Sequence, residues 1–187
     1  AGTAIARLLV LSGATNIIAF DIDGAISKNS TSDGAMRDWF IEHSNKDDFK
    51  GSVHEALSGA DIFIGVSAPN VLKEADIASM AAGSIVFALA NPDPEIDPAI
   101  ARKYAAVVAT GRSDQPNQIN NVLAFPGIFR GLLDANAHKI SDQMLVAAAE
   151  AIADCVSPDQ LNASFIVPSV FDPNVVKAVA AAVKKSV

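Results

Sequence analysis

Apolar residues follow two spacings along this chain, and the alternation between them predicts a sheet flanked by helices. Residues 2–11 place Ile5, Leu8 and Leu9 on one helical face, with Gly13 as the stop. Residues 16–21 (NIIAFD) form a short apolar run closed by an acid, which reads as a buried strand. Residues 23–35 are polar and glycine-bearing, hence a loop. Helices are expected over 36–43, 53–57 and 73–80. Further strands are expected over 61–68 (DIFIGVSA), 84–94 (SIVFALANPDP, cut off at Asn91-Pro92) and 105–111 (AAVVATG). Asp97 followed by Pro98 marks a helix start. Residues 120–137 carry apolar positions at helical spacing, with Pro126-Gly127 as a kink or break. Ser141 caps a helix through Val156, and 164–171 are extended. Asp172-Pro173 opens a last helix whose end, Lys184-Lys185, suits the helix dipole.

Strands alternate with helices four times, and the strands are continuous apolar runs. Both features predict an α/β fold, a Rossmann-like, doubly wound parallel sheet covered on both faces. Residues 1–187 read as most of one dinucleotide-binding domain plus C-terminal helices. In such sheets ligands bind beyond the carboxyl ends of the strands, which singles out Asp21, Ser67, Asn91 and Gly111. Asp21 lies 19 residues after Gly2. A dinucleotide fingerprint sets an acid about 20 residues beyond its glycines, where it accepts hydrogen bonds from the adenosine ribose. Gly2 would then be the third glycine. The first two glycines, and the first strand, would precede residue 1. The fold is therefore expected to lack its first strand and glycine-rich loop. Asp21 favours NAD, because a carboxylate repels a 2′-phosphate; Lys28 in the following loop softens that preference.

Composition narrows the classes. Half of the 187 residues are hydrophobic and 19% are charged, so a globular core is affordable. The net charge of −7 argues against a nucleic-acid partner. No apolar run reaches the length of a membrane span. The single cysteine, Cys155, sits in an alanine-rich helical stretch as a buried small residue, and a reducing, cytoplasmic compartment is expected. His43, His54 and His138 are scattered, without zinc-ligand spacing. Asp21-Ile22-Asp23-Gly24 opens like a calcium loop but has no glutamate at its twelfth position. No nucleophile elbow is present. The chain opens in AGTAIARLLVLSGA without an initiator Met, which implies processing or truncation.

Three stretches together resemble the malic enzymes, particularly the shorter bacterial type: GVSAPNVL (65–72), FALANPDPEI (87–96) and VATGRSDQPNQINNVLAFPGIFRGLLD (108–134). The opening ARLLVLSGATNIIAFDIDGAI and the tail FIVPSVFDPNVVKAVAAAV fit the same family. The resemblance implies oxidative decarboxylation of malate to pyruvate with NAD or NADP and a divalent metal, Mg²⁺ or Mn²⁺. It places Asn91 beside the nicotinamide ribose and substrate, Asn121 on the malate carboxylate, and Asn120 near the nicotinamide. It runs Ser67 and Ala68 along the cofactor. A carboxamide suits these roles, since it donates to a carboxylate and accepts from an amide without adding charge. Read without the resemblance, Asn91 is a turn residue and Asn120 a helix N-cap. Arg112 and Asp114 read best as a surface ion pair.

The family's acid and base, a tyrosine and a lysine, and its metal ligands belong to a part of the enzyme not represented in residues 1–187. Tyr104, the only tyrosine, does not match the catalytic one. The N-terminal substrate domain is thus expected to be absent, the chain inactive alone, and an isolated 1–187 polypeptide poorly stable, because strands 16–21 and 61–68 would face each other across a missing strand. A homodimer is expected from the resemblance. A malolactic-type enzyme, a non-catalytic nucleotide-binding or oligomerising remnant, and the nucleotide domain of an amino-acid dehydrogenase are the alternatives. The Asn-Asn-Val-Leu-Ala-Phe-Pro-Gly run argues against the last.

Overall fold

Ile5, Leu8 and Leu9, at helical spacing, wind the opening residues into α1 (Gly2–Leu11), which ends at Ser12-Gly13. The computed structural model describes all residues 1–187, in two compact units, Ala1–Val107 and Val108–Val187.

The run after α1 is much shorter as a strand than its apolar character predicts. Only Phe20–Asp21 (β1) pairs, and it pairs antiparallel with Gly24–Ala25 (β2) inside the expected loop. Gly24 supplies the positive φ, +113°, that this tight hairpin requires. Residues 16–19 have no strand alongside. A strand must satisfy its N–H and C=O groups on a neighbour, and apolar composition does not provide one. Other partners take over. The Ile17 carbonyl accepts from the Asn45 N–H at 2.6 Å and the Ala19 carbonyl from Ile26 at 2.8 Å. Asn45, 2% exposed, is the anchor of this region: its Nδ2 donates to the carbonyls of Ile26 and Phe49, and its Oδ1 accepts from the Phe49 N–H at 2.7 Å.

Helices α2 (Ala35–His43) and α3 (Val53–Ala56) follow, the latter opened by a reciprocal Ser52–Glu55 capping box. Strand β3 (Ile62–Gly65), helix α4 (Glu74–Ala78), strand β4 (Ile85–Ala88), helix α5 (Pro98–Ala101) and strand β5 (Val107–Thr110) then alternate as expected. Asp97 caps α5 through its carboxylate and the Ala99 N–H at 2.8 Å, with Pro98 at the first helical position. The sheet order is β3-β4-β5, with β3 and β4 parallel and Ile62 opposite Ile85. The α/β, Rossmann-like class is what the sequence predicts. Each strand is only four residues long, because the polar ends of the runs 61–68, 84–94 and 105–111 leave the sheet as loops. Val86, Ala88, Ile77, Ile96 and Ala101 are buried around the sheet.

Glu95 is completely buried where β3 and β4 end. One carboxylate oxygen accepts from the Ser67 N–H at 2.9 Å and the Ser67 hydroxyl at 3.3 Å; the other accepts from the Ala90 N–H at 3.0 Å. A buried carboxylate is tolerated only when donors replace its lost water, and these do so. The backbone around it closes the same corner, with Pro94 and Glu95 carbonyls accepting from Asn70 and Leu72. Gly65 makes room: a Cβ there would lie 2.4 Å from Glu95 Cδ and Oε1.

In the second unit Thr110 is fully buried, and its carbonyl accepts from Ile119 at 2.8 Å. Buried Asn117 pins the surrounding loops, donating to the carbonyls of Val108 and Ala163 and accepting from the Ile166 N–H. Residues 164–171 form no strand; a turn bridged between Asn162 and Phe165 leads in. Arg112 and Asp114 form a two-pronged surface ion pair, Nε to Oδ1 at 2.8 Å and Nη2 to Oδ2 at 2.7 Å. A 3-10 turn (Asn121–Leu123) precedes α6 (Phe125–Asp134), α7 (Asp142–Asp154) and α8 (Pro173–Lys185). Pro126-Gly127 is no break. Pro126 lies in the first turn of α6, where its missing N–H costs nothing. Gly127 and Gly131, one turn apart, let α6 lie against α8: a Cβ on Gly127 would meet Val179 Cβ at 2.5 Å, and one on Gly131 the Ala180 carbonyl at 2.7 Å. Leu123, Ile128, Met144, Ala148, Val175, Val179 and Val183 fill the core between these helices.

Two measurements probe these packings. In the full-length protein, Gly65→Ala is expected to lower stability by about 1–3 kcal/mol, as overpacking does, because its Cβ would overlap Glu95, which is fully buried and tethered to strand-end amides. A denaturation midpoint equal to wild type would refute the enforced contact. The second concerns Asp114, whose carboxyl the Arg112 guanidinium holds down to about 2. A folded-state value below the ordinary one means that the pair stabilises above the ordinary Asp range and that this contribution disappears as pH falls through about 2. An NMR titration of the Asp114 carboxyl is expected to show that midpoint, and Arg112→Met to return it to the ordinary range near ~3.9.

Candidate functional site

Helix α1 opens at Gly2 with no side-chain cap, so its first-turn N–H groups lack helical partners. Such a terminus suits an anion. A Cβ built on Gly2 would meet Val66 Cγ2 at 3.7 Å, so the helix starts beside the residue that follows β3. That distance is ordinary contact; crowding within this chain does not demand glycine there.

Asp21 ends β1, half-buried, and its carboxylate is doubly engaged. Oδ1 accepts from the Asp23 N–H at 2.9 Å, and Oδ2 pairs with Arg37 Nη1. Lys28, the cation expected to temper Asp21, is exposed in the loop. The cation at Asp21 is instead Arg37, on α2 and 16 residues along the chain. Sequence spacing gave no sign of it, since the contact forms only when α2 folds back on the hairpin.

Ser67 and Ala68 are exposed beyond the end of β3, and Asn91 is exposed beyond the end of β4, before the cis Asn91-Pro92 bond. The Asn91 carboxamide takes no part in the hydrogen bonds that hold this corner; Glu95 carries them. The structure thus brings Ser67 and the Asn91 loop onto one buried carboxylate. Glu95 lies inside FALANPDPEI (87–96), but no periodicity distinguishes a buried glutamate from a solvated one.

In the second unit Asn120 and Asn121 are both exposed. Asn120 Oδ1 accepts from the Val122 N–H at 3.0 Å, the N-cap geometry that its sequence position also suggests. Asn121 follows as the first residue of the 3-10 turn. Arg112 and Asp114 serve each other, as expected.

Tyr104 donates to Glu74 Oε1 at 2.9 Å, beside Lys103, and that bond raises its pKa, so it is a surface strut. Cys155 is half-buried against the helical core and donates to the Ala151 carbonyl; burial, with Asp172 and Asp154 nearby, raises its pKa. A raised thiol is a poor nucleophile. His43 stacks on Trp39, and His54 bonds Asp76 at 2.7 Å. No three His, Cys, Asp or Glu side chains gather to hold a metal ion. No helix is long and apolar enough to cross a membrane.

Residues 11–187 match the family described as malic enzyme, NAD binding domain. The chain is 51% identical over 183 residues to the NAD-dependent malic enzyme of Geobacillus stearothermophilus, an alignment covering 98% of this chain and 38% of that protein. It is 47% identical to the bifunctional malic/malolactic enzyme of Bacillus subtilis, covering 100% and 46%. The crystal structure of NAD-dependent malic enzyme from Thermotoga maritima superposes with a TM-score of 0.92 at 42% identity, over 100% of this chain and 49% of that one. The chain therefore spans half or less of the length of these relatives. A match over 177 of its 187 residues, with the same fold at high identity, means that the chain belongs to the malic enzyme family, as its NAD-binding domain.

Proposed function

We propose that this chain is the dinucleotide half of an enzyme that converts malate to pyruvate and CO₂ while reducing NAD or NADP, and that it is inactive without the remainder. The corner at the carboxyl ends of β3 and β4 carries the reading: Glu95 fixes the backbone of Ser67 and Ala90 while Ser67, Ala68 and Asn91 stay exposed. That is where an open α/β sheet binds a dinucleotide. Gly2 and Asp21 take the adenosine side, Asp21 accepting from the ribose and favouring NAD. Ser67 and Ala68 line the cofactor's path, and Asn91 and Asn120 attend the nicotinamide end. Asn91 and Asn121 contact the substrate, the Asn121 amide donating to a malate carboxylate. The exposed, uncharged carboxamides of Asn91 and Asn121 support that assignment.

A divalent ion, Mg²⁺ or Mn²⁺, would supply Lewis acidity for decarboxylation. No cluster in this chain fits it, so its ligands are assigned outside residues 1–187. So are the general acid and base, because Tyr104 is committed to Glu74. The assembled enzyme is read as a cytoplasmic homodimer, on the lone cysteine and the family likeness respectively. A malolactic outcome is the second reading, favoured by the 47% identity to a bifunctional malic/malolactic enzyme.

The test is malate-dependent dinucleotide reduction by the full-length protein, with product analysis. Pyruvate is expected; lactate would select the second reading, and no malate-dependent turnover would sink both. Asn121→Ala is expected to raise the malate KM or lower kcat by about 10-fold or more, the worth of a hydrogen bond to a charged group. The KM for the dinucleotide should hardly move. Unchanged malate kinetics would remove Asn121 from the substrate site.

A further inference from the structure

We infer that the buried carboxylate of Glu95 tunes the corner beyond β3 and β4 to the oxidised dinucleotide, because its negative charge favours a cationic nicotinamide ring over the neutral, reduced one. Glu95 is then a specificity-determining residue that acts through its field, without touching the cofactor. The inference rests on the reading of Ser67, Ala68 and Asn91 as the cofactor's path to the nicotinamide end.

A nicotinamide dinucleotide changes charge at one place when it is reduced: the ring loses its positive charge, and the adenosine and phosphate portions keep theirs. A fixed charge near the ring therefore tells the two forms apart, and one farther away does so less. Glu95 is a charge that this corner holds wholly away from water. Its donors, the Ser67 N–H at 2.9 Å, the Ser67 hydroxyl at 3.3 Å and the Ala90 N–H at 3.0 Å, are all uncharged. Such dipoles make the burial tolerable without cancelling the charge. Asp114, by contrast, faces the guanidinium of Arg112, and that pair is neutral as a whole.

Position decides how far the charge is felt. Each oxygen is one hydrogen bond from the backbone of Ser67 or Ala90, and Ala68 and Asn91 are the next residues along, one Cα spacing of about 3.8 Å farther. Ala68 and Asn91 are exposed, and so is Asp93 in the same loop, where water screens its carboxylate. Glu95 lies behind them in the interior, where screening is much weaker. Both of its oxygens are tethered to strand-end amides, so the charge is held at the ends of β3 and β4. A glutamine there would offer one acceptor oxygen where the corner has donors to both, so Glu95→Gln disturbs the loops as well as the charge. The disturbance weakens both forms of the cofactor alike. The ratio of their affinities isolates the charge.

The experiment measures, by calorimetry without malate, the Kd of NAD⁺, NADH and ADP-ribose, which lacks the nicotinamide. It uses the full-length protein and its Glu95→Gln and Glu95→Asp variants. Glu95→Gln is expected to weaken NAD⁺ relative to NADH by about fivefold or more, what a unit charge exerts over roughly 10–15 Å at an effective dielectric of about 20. ADP-ribose should follow NADH. Glu95→Asp keeps the charge and is expected to hold the NAD⁺-to-NADH ratio within about twofold of wild type, even where both bind more weakly. A wild-type ratio in Glu95→Gln overturns the inference, since Glu95 would then be a brace for the loops and nothing more. Asn91→Ala tests the underlying reading: it is expected to weaken both dinucleotides but not ADP-ribose. If it changes neither, this corner is not the nicotinamide end, and the inference falls with that reading. The unmodified protein gives a check that needs no variant to fold. It is expected to hold NAD⁺ at least as tightly as NADH, and NADH bound about tenfold more tightly would overturn the inference.

Discussion

The buried carboxylate of Glu95 is the constraint around which the first unit is arranged. It has no contact with water, so each of its oxygens must find a donor inside the protein, and the donors it finds are the backbone amides at which β3 and β4 leave the sheet. This arrangement requires Gly65, because any Cβ would overlap the carboxylate. It also sets the direction of the two loops beyond the strands. Without an acceptor there, the Ser67 and Ala90 N–H groups would lose their partner at this part-buried corner. One side chain thus couples strand register to the geometry of the exposed residues Ser67, Ala68 and Asn91.

The second unit solves a different problem by subtraction. Its helices carry small residues where they meet: Gly127 and Gly131 on α6, and Ala148 on α7. Removing side chains brings backbones close enough for Val179 and Val183 to fill the gap with full dispersion contact. The small residues at these helix contacts are therefore a packing device. Asn120 and Asn121 sit on the short turn that enters α6, so their placement depends on that helix being firmly seated.

What could be read in the sequence was whatever is decided locally. Asp97-Pro98, Ser141 and Asp172-Pro173 start helices because a capping oxygen and a preset φ act within three residues, and the structure has all three caps. The α/β alternation and the Arg112–Asp114 pair are local in the same sense. Residues 16–21 form less strand than their apolar character predicts because strandness is a property of pairs: only Phe20–Asp21 is paired, and residues 16–19 have no strand alongside. Pro126 opens α6 instead of kinking or breaking it, because a proline breaks a helix in the interior but is tolerated in the first turn, and the helix starts at Phe125. Among the candidates, strand-end logic singled out Asp21, Ser67 and Asn91 and family likeness Asn120 and Asn121, but neither pointed to the groups that engage Asp21 and Ser67. Glu95 acts 28 residues from Ser67, and Arg37 acts 16 from Asp21. Distances of that order carry no sequence periodicity.

These two supporting groups differ in a way that bears on how such a site changes. Glu95 is enclosed, and every alternative side chain must either overfill its pocket or leave strand-end amides unsatisfied. Arg37 is itself largely enclosed, but its outer partners Asp23 and Asp33 are exposed, where water screens their charges. Removing the charge of Asp23 or Asp33 leaves the β3–β4 corner untouched, whereas substitution of Glu95 removes the acceptors of Ser67 and Ala90. The charges gathered around Arg37 and the charge that shapes the strand-end corner therefore sit in different dielectric surroundings.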